Sequence, residues 1–207
     1  DNPKHISKQK FAVLAKSAVL SRCVTRFDEA DSIFTVIWPD GLETAYALET
    51  TAGREALAHD LARAFPDEFQ GELKVLKGPD VHRFTDHPLG QLSLLNLASL
   101  DAVSSAFELP VEASRFRMNI HLEGLEAWAE DSWQEGDHFR LGEAELSILS
   151  PTVRCKATHA NPKTGAYDLN TVPELFKHFE RNTFGMYALV TKAGTVRTGD
   201  ALEPIGS

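Results

Sequence analysis

The sequence predicts a mainly β protein, a β-barrel domain with a few covering helices, preceded by a partial β-barrel or α+β region. Short segments rich in β-branched and aromatic residues recur along the chain between glycine and proline turns, as is typical of strands. Two stretches, 136–146 and 194–203, also share one pattern: a glycine turn, a short strand with an arginine, and a second glycine followed by an acid. Such repeated strand–turn–strand corners favour a barrel or a compact sandwich.

The first part of the chain predicts a small sheet and one helix. Segment 32–38, SIFTVIW, is followed by the turn PDG and by an alternating second arm at 42–48, which together predict a hairpin. At 50–65 apolar residues recur at helical spacing and Pro66 ends the pattern, so we expect a helix there. Further strands are predicted at 11–20 and 71–78.

The second part predicts more strands and two further helices. The helices are expected at 95–107 and 171–181, and the strands at 115–124, 138–150, 184–194 and 194–205. We therefore divide the chain into region 1–85 and a β domain, 86–207. Because the sequence starts with Asp1 rather than methionine, we expect the first region to be incomplete.

Composition narrows the function classes. The net charge of −9 and the pI of about 5.4 argue against nucleic acid and acidic membranes as partners, since both require a positive surface. No apolar run approaches the ~18 residues of a membrane-spanning helix, and the polar start predicts no signal peptide. Two cysteines cannot build a disulfide framework or hold an iron–sulfur cluster alone. We expect a cytoplasmic protein.

Cys155 lies between Arg154 and Lys156, and His159 follows four positions later. Neighbouring cations favour the thiolate, which is the form of cysteine that attacks or ligates. In a strand, however, both basic side chains would point to the face opposite Cys155, and the cysteine would then be a buried structural residue. The sequence leaves both interpretations open. A zinc site or a Cys–His hydrolase has little support, because no further ligands or local signature occur at a fitting spacing.

Other polar residues are weaker candidates, each with a structural alternative. If 115–119 is a strand, Arg115, Arg117 and Asn119 share one face and could grip a phosphate or a polar heterocycle, or could simply face solvent. The acids Glu130 and Asp131 lie between two tryptophans and suit acid–base chemistry or the start of a turn. Two more residues are noted, Tyr187 as a hydroxyl in a pocket and Cys23 as a structural cysteine.

The order of these segments is more informative than any one of them. RFRMNIHLEGLEAWAEDSW, FRLGEAELSILSPTVRCKATHANPKTG and FGMYALVTKAGTVRTGDALE together resemble the MOSC domain, named for the C-terminal domain of molybdenum cofactor sulfurase. The resemblance runs from Leu92 to Glu203 and includes an R-x-N segment, an E-D-x-W loop, an R-C turn and a closing G-x-x-R-x-G-D. The first ninety or so residues resemble, more weakly, the domain that precedes MOSC in the amidoxime-reducing branch of the family.

The resemblance implies a MOSC β-barrel and a molybdenum cofactor of the molybdopterin type. Cys155 would be the catalytic residue and the thiolate ligand of molybdenum. A serine that faces the cofactor in many relatives is replaced here by Val153. The residues that would contact the cofactor are Arg117, Asn119, Asp131, Arg154 and Tyr187.

The implied activity is the reduction of small N-oxygenated substrates such as amidoximes or hydroxylamines, with electrons from a separate donor protein. The same resemblance implies an affinity for pyridoxal phosphate. Two alternatives stay open. One is a sulfur carrier in which Cys155 takes up sulfur as a persulfide, and the other is a non-enzymatic module that binds an anionic cofactor or a partner enzyme.

Overall fold

The computed structural model describes residues 11–69, 71–77 and 91–206, which form two compact units. The first unit contains the described residues up to 77 and the segment His159–Leu169. The second contains residues 91–158 and 170–206. The division expected between 85 and 86 falls outside the described residues.

The first unit is an antiparallel three-stranded sheet with one helix. Its strands are β1 (Val24–Asp28), β2 (Ile33–Ile37) and β3 (Glu43–Ala47), paired in that order, and the helix is α1 (Thr51–Ala64). The Thr50 hydroxyl caps α1 by accepting from the N–H of Gly53 at 3.0 Å. The core between sheet and helix contains Val36, Trp38, Tyr46, Leu57 and Phe65.

The segment His159–Leu169 packs within this first unit although it follows Cys155 in sequence. The Ser21 hydroxyl donates to the carbonyl of Asn161 at 2.8 Å, and the Tyr167 hydroxyl donates to the carbonyl of Leu14 at 2.7 Å. Gly165 has φ +70° and lies against Val19, leaving no room for a side chain. The chain therefore leaves the second unit just after the Cys155 turn and returns to it at Asn170.

The second unit is built on a six-stranded sheet, curled into a half-barrel, in the order β5-β4-β8-β7-β6-β9. The strands are β4 (Leu92–Asn96), β5 (Ile120–Leu122), β6 (His138–Leu141), β7 (Ala144–Val153), β8 (Thr183–Lys192) and β9 (Leu202–Ile205). Only β4 and β5 are parallel among these pairs. The same unit contains the helices α2 (Leu97–Ala106) and α3 (Thr171–Phe179). The predicted mainly β fold with a few helices is confirmed.

One face of this sheet forms the apolar core. Leu94, Met186 and Ile148 come from three adjacent strands and are almost fully buried. Within the part of the chain that the structure describes, no helix is long and apolar enough to cross a bilayer.

The predicted hairpin, the helix at 50–65, the strand pair around Gly142 and the helix at 171–181 are confirmed. Three other expectations are wrong. Residues 11–20 form turns and the start of a 3-10 helix (Ala18–Arg22), and 71–77 are not a strand, while Gly78 is outside the described residues. The helix expected from Leu95 begins only at Leu97, because Leu92–Asn96 is the buried strand β4.

Candidate functional site

The structure exposes Cys155. Strand β7 ends at Val153, so Cys155 lies on an irregular connection before a 3-10 turn, Lys156–His159. Its carbonyl accepts from both the N–H and the hydroxyl of Thr158, at 3.0 and 2.9 Å. Because Thr158 is buried, these two bonds anchor the turn to the protein interior, while Cys155 is exposed. The interpretation of Cys155 as a buried strand residue is therefore wrong.

Arg154 braces the loop that contains Arg117. Its Nη2 donates to the carbonyl of Phe116 at 2.6 Å, and its Nη1 lies 3.3 Å from Sδ of Met118. The guanidinium carbon is also 5.4 Å from the centroid of the Phe116 ring. These contacts fall on both sides of Arg117. Two predicted cofactor-binding residues are thus brought together, and Arg154 directly precedes Cys155.

Residues 115–119 do not form the strand that would align their side chains. Arg115 belongs to a 3-10 turn, is 5% exposed, and donates from Nε to Glu112 at 2.7 Å. Arg117 has φ +49°, a left-handed conformation that is unfavourable for a side chain with a Cβ. Their expected alignment on one face is therefore wrong. Arg115 is a buried structural residue, whereas Arg117 is exposed at the surface.

Asn119 is tied to strand β4 through Ser93. The Asn119 Oδ1 accepts from both the N–H and the hydroxyl of Ser93 at 2.9 Å, which leaves the amide Nδ2 as its donor side. Ser93 pairs with Tyr187 on β8, which in turn pairs with Ser150 on β7. Because paired residues of neighbouring strands share a face, Ser93, Tyr187 and Ser150 form one polar row. Asn119, next to Met118 in the Arg117 loop, is therefore linked through Ser93 to Tyr187.

Gly185 allows the loop to approach the sheet. It has φ +79°, and a Cβ at this position would lie 2.6 Å from the carbonyl oxygen of Leu94 and would also meet Cε of Met118. Only glycine accommodates both the conformation and the close approach. The position of Met118, and hence of the neighbouring Arg117 and Asn119, depends on this glycine.

Asp131 forms an ion pair with Arg181. Its two carboxylate oxygens accept from the two Nη atoms of Arg181 at 2.9 and 2.7 Å, and the Arg181 guanidinium lies 4.6 Å from the Trp128 ring centroid. Asp131 and Met186 line the same cleft. Since neighbouring residues of a strand point to opposite faces, this cleft adjoins the sheet face opposite Tyr187. Arg181 directly precedes Asn182, whose carbonyl accepts from the N–H of Arg154 at 2.8 Å, so the Asp131–Arg181 pair is linked to the segment that precedes Cys155.

The cleft beside Asp131 has a volume of about 540 Å³. Glu130 forms part of its wall and is 3% exposed. Its Oε2 accepts from Asn96 at 2.7 Å and from the hydroxyl of Ser99 at 3.0 Å, while its buried Oε1 has no hydrogen-bond partner within the described chain. A buried acceptor without a donor costs about 1–3 kcal/mol. The cleft lining comprises Glu130, Asp131, Trp133, Pro151, Phe179, Glu180, Arg181, Thr183 and Met186.

The residues around the Arg117 loop suit a molybdopterin-type cofactor in their chemistry. Cys155 offers a soft thiolate ligand, Arg117 offers a cation for a phosphate, and Asn119 and Tyr187 offer hydrogen-bonding groups. The Nη atoms of Arg154 are directed at Phe116 and Met118, so Arg154 holds the loop. No cluster of three or more His, Cys, Asp or Glu side chains forms a metal site in residues 11–69, 71–77 and 91–206.

Four residues that contribute to the Arg117 loop region or to the cleft beside Asp131 were not predicted from the sequence. Ser93 and Ser150 extend the polar row, but hydroxyls on strands carry no distinctive sequence signal. Arg181 was expected only as a helix end, and its partner Asp131 is 50 positions away in sequence. Gly185 follows Phe184 in the sequence, but its role depends on a tertiary contact that no local pattern reveals.

Comparisons with known proteins give one consistent result. The MOSC domain profile matches residues 81–203. Mitochondrial amidoxime-reducing component 1 from Mus musculus is 32% identical over 125 residues, covering 55% of this chain and 36% of that protein. The Xenopus laevis protein of the same name is 29% identical over 147 residues, covering 65% and 41%. The matches thus span well under half the length of these relatives.

Two solved structures are similar to part of this chain. YiiM from Geobacillus stearothermophilus matches with a TM-score of 0.45 and 20% identity, over 56% of this chain and 54% of its own. YiiM from Escherichia coli matches with a TM-score of 0.43 and 21% identity, over 67% of each chain. The profile match covers more than half of the 207 residues and includes every predicted site residue, and the chain therefore belongs to the MOSC domain family.

Proposed function

We propose that this chain holds a molybdopterin-type molybdenum cofactor through Cys155 and reduces small N-oxygenated substrates. The observation that carries the proposal is the placement of an exposed Cys155 next to Arg154, whose side chain holds the loop with Arg117 and Asn119. A soft thiolate, a cation and an amide donor are thereby grouped at one end of strand β7. Membership in the MOSC family and the similarity to amidoxime-reducing components support the same function.

Each residue has a distinct role in this proposal. The Cys155 thiolate is the protein ligand of the metal, and its exposure leaves access for a substrate. Arg117, an exposed residue, and the Asn119 Nδ2 donate hydrogen bonds to the anionic and heterocyclic parts of the cofactor in this proposal. Arg154 is a positioning residue, because its Nη atoms hold Phe116 and Met118. When bound, the cofactor supplies two-electron redox chemistry.

The proposed reaction breaks the N–O bond of an amidoxime or hydroxylamine. The substrate takes up two electrons and two protons, its oxygen leaves as water, and an amidine or amine remains. A separate electron-donor protein supplies the electrons. Asp131 stays a proposed cofactor-binding residue that acts together with Arg181, since both of its carboxylate oxygens accept from Arg181, and Arg181 precedes Asn182, the backbone partner of Arg154.

The proposal is tested first by metal content. The full chain is produced in a host that makes molybdenum cofactor, and molybdenum is measured by elemental mass spectrometry in the wild type, Cys155→Ser and Cys23→Ser. We expect nearly one molybdenum per chain in the wild type and in Cys23→Ser, and almost none in Cys155→Ser. Reduction of benzamidoxime by a reduced viologen dye should follow the same order. Molybdenum retained by Cys155→Ser would reject the proposed ligand.

A sulfur carrier is the second candidate, because a persulfide on Cys155 also requires an exposed thiol. It predicts that the wild type purified from the same host contains no molybdenum and takes up one sulfur atom from a cysteine desulfurase. Intact-protein mass spectrometry detects the added mass of sulfur, and Cys155→Ser should not acquire it. A binding module without turnover would instead retain cofactor or pyridoxal phosphate and show neither activity.

A further inference from the structure

Arg181 lies on the connection 180–182 between helix α3 and strand β8 and is held from two sides. Both of its Nη atoms donate to the carboxylate of Asp131, and its guanidinium carbon lies 4.6 Å from the centroid of the Trp128 ring. A planar guanidinium can pair in a bidentate manner and stack on a ring at the same time, which an ammonium group cannot do. Arg181 is therefore fixed more firmly than a single surface ion pair would fix it.

Trp128 is a rigid support for this contact. Its backbone has φ +65°, a left-handed conformation that is unfavourable for a residue with a Cβ, and its N–H donates to the hydroxyl of Ser99 at 2.8 Å. The centroid of its ring lies 4.8 Å from that of Phe179 and 5.8 Å from that of Phe184. Ser99 and Phe184 are buried, so these contacts anchor Trp128 to the interior. Backbone strain that surrounding contacts maintain in this way is typical of residues near functional sites.

Asn182, directly after Arg181, holds the segment that leads to Cys155. Its carbonyl accepts from the N–H of Arg154 at 2.8 Å, one position beyond the paired ends of β7 and β8. This main-chain bond is separate from the side-chain contacts of Arg154 with Phe116. The residue before the thiol is thus held twice, and the acceptor of its main-chain bond directly follows Arg181.

We infer that Arg181 is a positioning residue for Cys155. Held by Asp131 and Trp128, it fixes the carbonyl of Asn182, and this carbonyl fixes the main chain directly before the thiol. The inference rests on the proposed function where it takes Cys155 to be a metal ligand. Residues that orient a metal ligand without contacting the metal typically change metal affinity by about 10–100-fold when they are replaced.

The first test uses the full chain without cofactor and measures hydrogen exchange at the amide of Arg154 by NMR. In Arg181→Gln we expect exchange at this amide to become about tenfold faster, because its acceptor is no longer held in place. The reference is the amide of Ile148 on the same strand, which donates to the carbonyl of Asp137 at 2.9 Å. A general loss of stability would accelerate both amides, whereas a positioning role changes the ratio of the two rates.

Lys192→Gln is the matched control. Lys192 donates to Glu145 at 3.0 Å, and this ion pair also joins β8 to β7 but lies at the other end of the two strands. Its loss should leave the ratio of the Arg154 and Ile148 exchange rates unchanged.

Two further variants test whether Arg181 acts through its partners. Arg181→Lys keeps the charge but lacks the fork and the flat stacking surface, and should therefore restore only part of the protection of the Arg154 amide. Asp131→Asn should accelerate exchange at Arg154, and adding it to Arg181→Gln should have little further effect, since both changes remove the same ion pair. Fully additive effects would contradict this route.

The second test measures molybdenum in chains produced in a host that makes the cofactor. Arg181→Gln should lose molybdenum about tenfold faster than the wild type during dialysis, and Lys192→Gln should lose it at the wild-type rate. The inference is overturned if a folded Arg181→Gln keeps the wild-type ratio of exchange rates, or if it retains molybdenum as the wild type does. A wild type without molybdenum would overturn the proposed function instead, while a changed ratio of exchange rates would still support the positioning of the Cys155 segment by Arg181.

Discussion

Arg154 contacts Phe116 in two ways at once. Its Nη2 donates to the main-chain carbonyl at 2.6 Å, and its guanidinium carbon lies 5.4 Å from the ring centroid. Arg154 directly precedes Cys155, and Phe116 directly precedes Arg117. One side chain thus joins the two segments that contain the proposed ligands.

The first prediction concerns this contact. Arg154→Lys keeps the charge but lacks the planar fork that reaches Phe116 and Met118 together, so the loop should loosen. We expect the free energy of unfolding to fall by about 1–3 kcal/mol, as for the loss of a charged hydrogen bond. Hydrogen exchange at the amides of residues 117–119 should become faster.

Arg140→Lys is the matched control. Arg140 pairs with Glu203, and both side chains are more than half exposed, so the effect should stay below about 1 kcal/mol. Unchanged exchange in the Arg117 loop of Arg154→Lys would contradict the bracing role.

The second prediction separates the effect of the backbone conformation at Arg117 from the effect of its positive charge. Arg117→Gly relieves the left-handed conformation, whereas Arg117→Ala keeps it. The glycine variant should therefore be more stable than the alanine variant by about 1 kcal/mol in chemical denaturation. Both variants lack the guanidinium and should lose cofactor retention equally. If the more stable glycine variant retained the cofactor better than the alanine variant, Arg117 would act only through the conformation of the loop.

Local signals predicted much of the fold. The turn at 39–41 marked the first hairpin, and Pro66 marked the end of α1. Strand β4 was missed because the short leucine-rich segment Leu92–Asn96 leads directly into a helix. Such a segment is compatible with a buried strand or a buried helix, and only pairing with β5 and β8 decides between them.

The site was less predictable than the fold. Cys155 was identified as a candidate, but its exposure depends on β7 ending at Val153. The left-handed conformation of Arg117 interrupts a segment whose alternating pattern predicts a strand. No residue type in RFRMN indicates such a conformation. Asp131 was grouped with the cofactor through the family resemblance, whereas its contacts with Arg181 arise only from the tertiary structure.

The third prediction compares the two thiols. Cys23 is half-buried, and burial raises its pKa, partly offset by the charge of Arg22. Since the thiolate is the reactive form, iodoacetamide at neutral pH should modify the exposed Cys155 at least about tenfold faster than Cys23. Peptide mass spectrometry of a time course on the apoprotein measures both rates. Equal rates would contradict the structural difference between the two environments.

The fourth prediction concerns stability as a function of pH. The Tyr46 hydroxyl donates to Asp60 at 2.7 Å, and this bond lowers the pKa of Asp60. Burial, followed by the bond to Asp60, raises the pKa of Tyr46 to about 12. The Asp60 contribution is present above the unfolded carboxyl pKa of 3.8 and is lost as the pH falls through the lowered folded value. The Tyr46 contribution is present below pH 10 and is lost as the pH rises toward about 12.

Tyr46→Phe should therefore reduce the free energy of unfolding by about 1–2 kcal/mol at neutral pH, with a smaller loss at acidic pH. Tyr167→Phe is the control, because the Tyr167 hydroxyl donates to the uncharged carbonyl of Leu14. Its effect should not change between neutral and acidic pH. Denaturation of both variants across the acidic range measures the difference, and parallel curves would contradict the role of Asp60.

The fifth prediction concerns Gly185, which sets how closely the Arg117 loop approaches strand β8. Gly185→Ala adds a Cβ 2.6 Å from the carbonyl oxygen of Leu94 and against Met118, in a left-handed conformation. Backbone strain and overpacking together should cost about 2–4 kcal/mol.

Gly199→Ala isolates the conformational part, because Gly199 has φ +97° with no atom within 4 Å of its Cβ position. It should cost only about 1–2 kcal/mol and leave the Arg117 loop in place. Gly185→Ala should in addition displace Met118 and accelerate hydrogen exchange at residues 117–119. If both variants lowered the free energy of unfolding equally, the sheet would have rearranged to accommodate the new methyl group. The position of the Arg117 loop would then not depend on Gly185.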